Sequence, residues 1–382
     1  MTHRKQGPWL PKRFGVGFAI AAGLCVPASG ADFDWNIPRG FPRPQVPADN
    51  PMNAAKVHLG RYLFYDQRMS VNGQASCATC HQQDLAFTDG RAHAKGTTGA
   101  LHPRGSMSLV NVAYAPSLTW ANPALSSLEE QALIPMLGTD PIELGLKGRE
   151  QEFLGTVRRD PIYQKLFPQA FSGEADPFTL SNVTKAIAAF ERTIISMRSP
   201  YDRYRWDGDS SAISDPAKRG EIVFASSERA GCFQCHAGWN FAAVRFEGSA
   251  SRREGRMDGM SAAFFNTGVS LFEPPNRGVY EQTQRPEDIG KFRPPTLRNI
   301  ALTAPYMHDG SLATLEDVID HYAAGGKFDH PNKSRILHPF RLTADDKRDL
   351  IEFLKSLTDA EMRHDPRWSN PWPTAKSLGA SK

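Results

Sequence analysis

The chain has 382 residues, of which 40% are apolar and 23% charged, with a formal net charge of +4. That length accommodates two domains with cores of their own. A charge so mild and evenly spread gives no argument for nucleic-acid or membrane-surface binding, and no segment past the N-terminus is long and apolar enough to span a bilayer.

His3, Arg4, Lys5, Lys12 and Arg13 precede an apolar run from Phe14 to about Val26, then Ala28-Ser29-Gly30-Ala31. This predicts a secretory signal over residues 1–31, cut near Gly30 or Ala31, and a periplasmic mature protein. Leu24 stands where a lipoprotein signal needs a small residue, so Cys25 is expected to leave with the signal. The other four cysteines form two C-x-x-C pairs, with none left for a conventional disulfide framework.

The first pair lies in CATCH (77–81), preceded by GRYLF (60–64) on an expected short helix. The same order returns with GEIVF (220–224) before CFQCH (232–236). C-x-x-C-H is the attachment signature of c-type haem. Cys77, Cys80, Cys232 and Cys235 would form thioethers, and His81 and His236 would bind iron from the proximal side. A zinc site would carry its histidine on a separate arm, and a redox dithiol would not need histidine at that place twice. Each half also has a candidate closing helix, at 183–195 and 343–358. Thr343 caps the second, with Asp345 and Asp346 in its first turn. The expected fold is mainly α, two tandem cytochrome c-like domains with long loops, over 32–200 and 201–382. A polar, turn-rich linker over 199–214 joins them. The long irregular runs 84–145 and 252–295 leave room for pockets, as long loops in compact domains usually do.

Near the C-terminus, ATLEDVIDHYAAGG (313–326) places Leu315, Val318, Ile319, Tyr322 and Ala323 on one helical face, ended by Gly325 and Gly326. Tyr322 is either a core residue or a group that holds something. Helical spacing alone favours the core.

The segments LGRYLFYDQRMS (59–70), SCATCHQQDLAFTDG (76–90), FRPPTLRNIALTAPYMHDGSLATLEDVIDHY (292–322) and DLIEFLKSL (349–357) resemble the bacterial di-haem cytochrome c peroxidase family, which includes MauG. The resemblance runs from about Lys56 to Leu357. It implies that the haem on His81 is the peroxide-reactive one. Trp120 matches the tryptophan between the haems, and Gln131, Pro135 and Glu143 match the distal glutamine, proline and glutamate. A carboxylate there moves a proton from one peroxide oxygen to the other. Tyr322 falls where family peroxidases have a methionine ligand and the MauG branch a tyrosine, so the resemblance makes it the distal ligand of the second haem. Ala230 replaces that branch's surface tryptophan, with Trp239 and Trp206 as alternative exit points. The backbone oxygens of Thr303 and Pro305, with Asn111 replacing an asparagine whose direct counterpart is Gly105, would bind calcium. His93 and His102 are expected to be loop histidines.

The loop HPRGSMSLVNVAYAPSLTWANPAL (102–125) resembles the MauG-like branch that includes the MbnH enzymes of methanobactin gene clusters. The resemblance implies an enzyme that uses hydrogen peroxide, through a bis-Fe(IV)-type state, to oxidise a tryptophan of a partner protein to kynurenine. A copper-binding protein is one candidate partner. The alternative is a peroxidase fed by a small cytochrome or cupredoxin. A protein that only transfers electrons fits less well, because nothing after CATCH offers a second axial ligand.

Overall fold

Beyond Met1, the computed structural model describes residues 33–242, 244–246 and 260–373. The expected signal segment lies outside the described residues. In chain order the principal helices are α1 (Ala54–Tyr65), α2 (Leu128–Leu137), α3 (Glu150–Arg159), α4 (Pro161–Ala170), α5 (Leu180–Glu191), α6 (Pro200–Trp206), α7 (Asp215–Ala225), α8 (Leu315–Ala323) and α9 (Ala344–Ser356). Two three-residue strands, Val244–Phe246 and Met260–Ala262, pair antiparallel. The fold is mainly helical, as the sequence predicts. Among the described residues no helix is long and apolar enough to cross a membrane.

The internal repeat becomes two helix crossings of one design. α1 lies on α5, and α7 lies on α9. A Cβ at Gly60 would overlap the carbonyl oxygen of Ala186, and one at Gly220 that of Asp349. Only glycine lets the backbones approach so closely. Four residues further on, Phe64 meets Phe190 and Phe224 meets Phe353, each with ring centroids 5.1 Å apart. These aromatic contacts join each opening helix to its closing helix. We expect Gly220→Ala to force α7 and α9 apart and cost about 1–3 kcal/mol, the usual range for overpacking. Gly155→Ala is the control, since α3 has open space there apart from the Arg159 guanidinium. Urea unfolding of the two variants compares them directly.

The segment expected as an irregular linker contains α6. Ser199 accepts from the Asp202 amide, and the Asp202 carboxylate accepts from the Ser199 amide at 2.9 Å. This reciprocal cap, with Pro200 at the first helical position, starts the helix. Asp202 is buried and takes both terminal nitrogens of the buried Arg298, at 2.8 and 2.9 Å.

Among the described residues two large apolar cores result, with a third, smaller cluster around Phe272 and Phe292. The first gathers Leu59, Leu63, Phe64, Phe167, Ile187 and Phe190. The second gathers Tyr201, Val223, Phe224, Ile319, Leu350 and Phe353. After Leu357 the chain leaves the second core. Met362 and Trp368 pack in the first, and Trp372 meets Tyr62 at 5.0 Å. Gln83 donates to the carbonyls of Met362 and Asp365, and the Tyr65 hydroxyl to that of Trp368. The tail thus crosses, in space, the boundary expected at residue 200.

Candidate haem sites

CATCH forms a single helical turn, Cys77–Cys80. The His81 ring follows it, and Nδ1 donates to the Phe87 carbonyl at 2.9 Å. That bond fixes the tautomer and leaves Nε2 for iron. His236 repeats it, with Nδ1 donating to the Phe241 carbonyl at 3.1 Å. The acceptor carbonyls come from backbone in the left-handed region, at Ala86 (φ 51°), Phe87 (φ 61°) and Phe241 (φ 49°). Such positions cost about 1–3 kcal/mol each when the residue is not glycine. Sequence reasoning missed Phe87 and Phe241, although each follows its C-x-x-C-H motif within a few residues. Burial lowers the pKa of both imidazoles, that of His236 to about 4, which keeps them in the neutral form a metal binds.

Glu143 reaches the first motif through a loop pinned at several points. The Leu144 amide donates to the Pro135 carbonyl at 2.9 Å, and the Thr97 amide to the Glu143 carbonyl at 2.8 Å. Gln131 and Pro135 stand one turn apart on α2, so they share a face. Burial pushes the Cys77 and Cys80 thiols up, Glu191 adds to the first and Asp89 to the second, and the charge of Glu143 acts on both. Burial also raises the pKa of Glu143 itself. The structure therefore brings a half-buried carboxyl group close to the CATCH motif.

Cys232, Cys235, His236 and Tyr322 line one cavity of about 210 Å³. Leu315 and Ile319 of α8 belong to the second core and, with Tyr322 one turn on, also line the cavity. Burial pushes the Tyr322 phenol up, and no described group hydrogen-bonds to its hydroxyl. Trp120 stands in the wall of the same cavity and donates to the Gly105 carbonyl at 2.9 Å. From Gly105 the chain runs directly to the first motif, with Ser106 against the Cys80 thiol and the Met107 backbone against His81.

Aromatic rings also lead outwards from the second motif. Trp239 meets Tyr114 at 4.8 Å and Phe41 at 5.6 Å, and Phe41 meets Trp206 at 5.6 Å. The Arg298 guanidinium lies over Phe41 and Trp239. Trp206 is 51% exposed. Ala230, by contrast, packs against the second core.

The Asn111 side chain is already engaged within the protein. Its Oδ1 accepts from the Ser196 amide, and its Nδ2 donates to the Ser196 carbonyl and to Asn240. Its amide is committed to bracing the end of α5 against the second haem loop. The Thr303 hydroxyl donates to the Ile300 carbonyl, and the oxygens expected to meet calcium are the backbone carbonyls of Thr303 and Pro305. No described cluster of His, Cys, Asp or Glu is arranged to hold a metal ion. His93 bonds to the His102 carbonyl within the loop.

Each motif offers two thiols and a histidine oriented through its Nδ1 bond, and the second adds an apolar-walled cavity, so the residues present fit covalently attached haem. They define a di-haem c-type protein. The family described as di-haem cytochrome c peroxidase (CCP_MauG) matches residues 54–211. The chain is 37% identical to the cytochrome-c peroxidase IdrP1 of Denitromonas iodatirespirans, over 92% of this chain and 95% of the relative. It is 35% identical to the methylamine utilization protein MauG of Methylorubrum extorquens, over 89% and 91%. A solved MauG-like protein associated with microbial copper homeostasis is 40% identical, with a TM-score of 0.81, covering 89% of this chain and all of that one. The protein belongs to the di-haem cytochrome c peroxidase family and is an oxidoreductase that acts on peroxide.

Proposed function

We propose that this enzyme is exported to the periplasm and uses hydrogen peroxide to oxidise a tryptophan of a partner protein to kynurenine. Tyr322 carries the reading. It shares a cavity with His236, and its hydroxyl has no other partner among the described residues. A methionine ligand raises a haem's potential and suits an electron acceptor, whereas a hard phenolate stabilises oxidised iron.

When bound, the haem on His81 supplies the iron that peroxide meets. Glu143 moves a proton between the two peroxide oxygens, and Gln131 and Pro135 shape the space beside it. Trp120 relays charge between the two sites. Tryptophan gives up four electrons on the way to kynurenine, so two peroxides are reduced to four waters. Water supplies the added oxygen, and the ring carbon that is lost leaves as formate. The similarity to a MauG-like protein associated with copper homeostasis supports a copper-binding partner.

The rings from Trp239 through Phe41 to Trp206 supply an exit that Ala230 does not. Arg298 above Trp239 opposes a positive charge resting there, whereas water stabilises one on exposed Trp206. Trp206→Phe is expected to slow partner oxidation severalfold without changing the reaction with peroxide. Stopped-flow absorbance and product mass spectrometry separate the two steps.

The test of function is mass spectrometry of proteins encoded beside this one, treated with enzyme and peroxide. A tryptophan whose mass changes only when both are present supports the proposal. Rapid oxidation of a reduced small cytochrome or cupredoxin, with no modified protein, would favour the peroxidase alternative. The similarity to cytochrome-c peroxidase IdrP1 keeps that alternative in view.

A further inference from the structure

One interior cation lacks a counter-charge among the described residues. Arg293 is 9% exposed. Its Nε donates to the Thr119 carbonyl at 3.2 Å, and a terminal nitrogen lies 3.4 Å from the Met107 sulfur. No described carboxylate pairs with it, and burial alone lowers its pKa, to about 10. The other buried arginines behave differently, Arg298 pairing with Asp202 and Arg192 with Glu129. A buried guanidinium without an anion is costly, and such groups are normally matched.

A second group beside it is also unmatched. His308 is 3% exposed, and its buried Nε2 has no hydrogen-bond partner among the described residues. The ring lies flat on Phe292, with centroids 3.6 Å apart and planes 16° apart, so its orientation is fixed. Arg293 and His308 both line the cavity of His236 and Tyr322. Arg293 also lines the neighbouring cavity of about 260 Å³ between the 107–116 segment and Trp239. One anionic acceptor in the shared cavity would satisfy both groups. Haem carries carboxylates of this kind, its propionates.

We propose that Arg293 and His308 form a carboxylate-binding pair that grips a propionate of the haem on His236. His308 donates from Nε2, and Arg293 supplies the opposing charge from the wall shared by the two cavities. The pair rests on haem occupancy of the site and is independent of which partner is oxidised. A cation beside the propionate disfavours the extra positive charge of ferric iron. Removing it therefore lowers the midpoint potential of that haem.

The test uses the full-length holoprotein and two readouts, haem content per chain and a spectroelectrochemical titration of each haem. Arg293→Gln should retain two haems, because the thioethers and both proximal histidines are untouched. The haem on His236 should shift towards ferric by at least about tenfold in its ferric-to-ferrous equilibrium, which is about 59 mV for one electron. The haem on His81 should shift less. Arg293→Lys should keep most of the parent potential, and His308→Leu should move it in the same direction as Arg293→Gln, by less. A two-haem Arg293→Gln protein with both potentials unchanged would overturn the proposal. If that variant does not accumulate, an unshifted His308→Leu protein overturns it instead. A parent protein with fewer than two haems removes the occupancy on which the pair rests, and the pair with it.

Discussion

Tyr322→Phe should keep both haems attached and the fold intact, yet abolish oxidation of the partner protein. The substitution removes one oxygen from a ring on α8 and leaves the packing of Leu315 and Ile319 on the second core unchanged. No described hydrogen bond is lost with that oxygen, so a merely structural tyrosine would give a nearly silent variant. If the phenolate is the ligand, the haem on His236 loses an anionic donor. Its ferric-to-ferrous equilibrium should then move towards ferrous by tenfold or more, about 59 mV per factor of ten. Peroxide should still react at the haem on His81, whose surroundings are built from other elements. Tyr322→Met should raise the potential further and turn the protein towards ordinary peroxidase behaviour. EPR and Mössbauer spectra of the ferric proteins decide the matter. A Phe variant with the parent's spectrum and potential would return Tyr322 to the core and remove the main support for protein oxidation.

The reaction of Glu143→Gln with peroxide should slow by about a hundredfold to ten-thousandfold, the usual contribution of a general acid–base group. Glutamine keeps the shape of the side chain and cannot exchange a proton. The bonds that pin the loop, from Leu144 to Pro135 and from Thr97 to the Glu143 carbonyl, are backbone bonds and should survive. The acidic limb of the pH profile should reveal the same group. Burial raises the pKa of Glu143, so its proton-accepting carboxylate form dominates only above that raised value. The parent rate should fall as pH drops through it, and the Gln variant should lack that fall. An unchanged stopped-flow rate, with the acidic limb retained, would make Glu143 an ordinary loop carboxylate.

What could be read in the sequence was local or repeated. The two C-x-x-C-H motifs, the Gly-x-x-aliphatic-Phe helices and the Thr343 cap each sit within a few residues, and the structure shows them as helix starts and crossings. Helix α6 was legible too, since Ser199, Pro200 and Asp202 spell a capping box, but the polar composition of that stretch hid it. The rest depended on distance along the chain. The role of Asn111 is set by Ser196 and Asn240, and nothing near Asn111 announces them. Phe87 and Phe241 act through a carbonyl, which any residue possesses, so their side chains carry no signal. Arg293 lies within a block that the family resemblance covers, yet its lack of a partner shows only when every carboxylate around it has a place.

The packing of the C-terminal tail on the first core has a consequence for biogenesis. Met362, Trp368 and Trp372 sit against α1 and the segment that follows CATCH, more than half the chain away in sequence. On the proposed export, a chain that leaves the membrane N-terminus first exposes Cys77 and Cys80 long before those residues emerge. The first core reaches its final packing only after translocation ends. On that proposed route the thiols emerge before the tail can close over the first core, which leaves an interval in which haem can be joined to the chain.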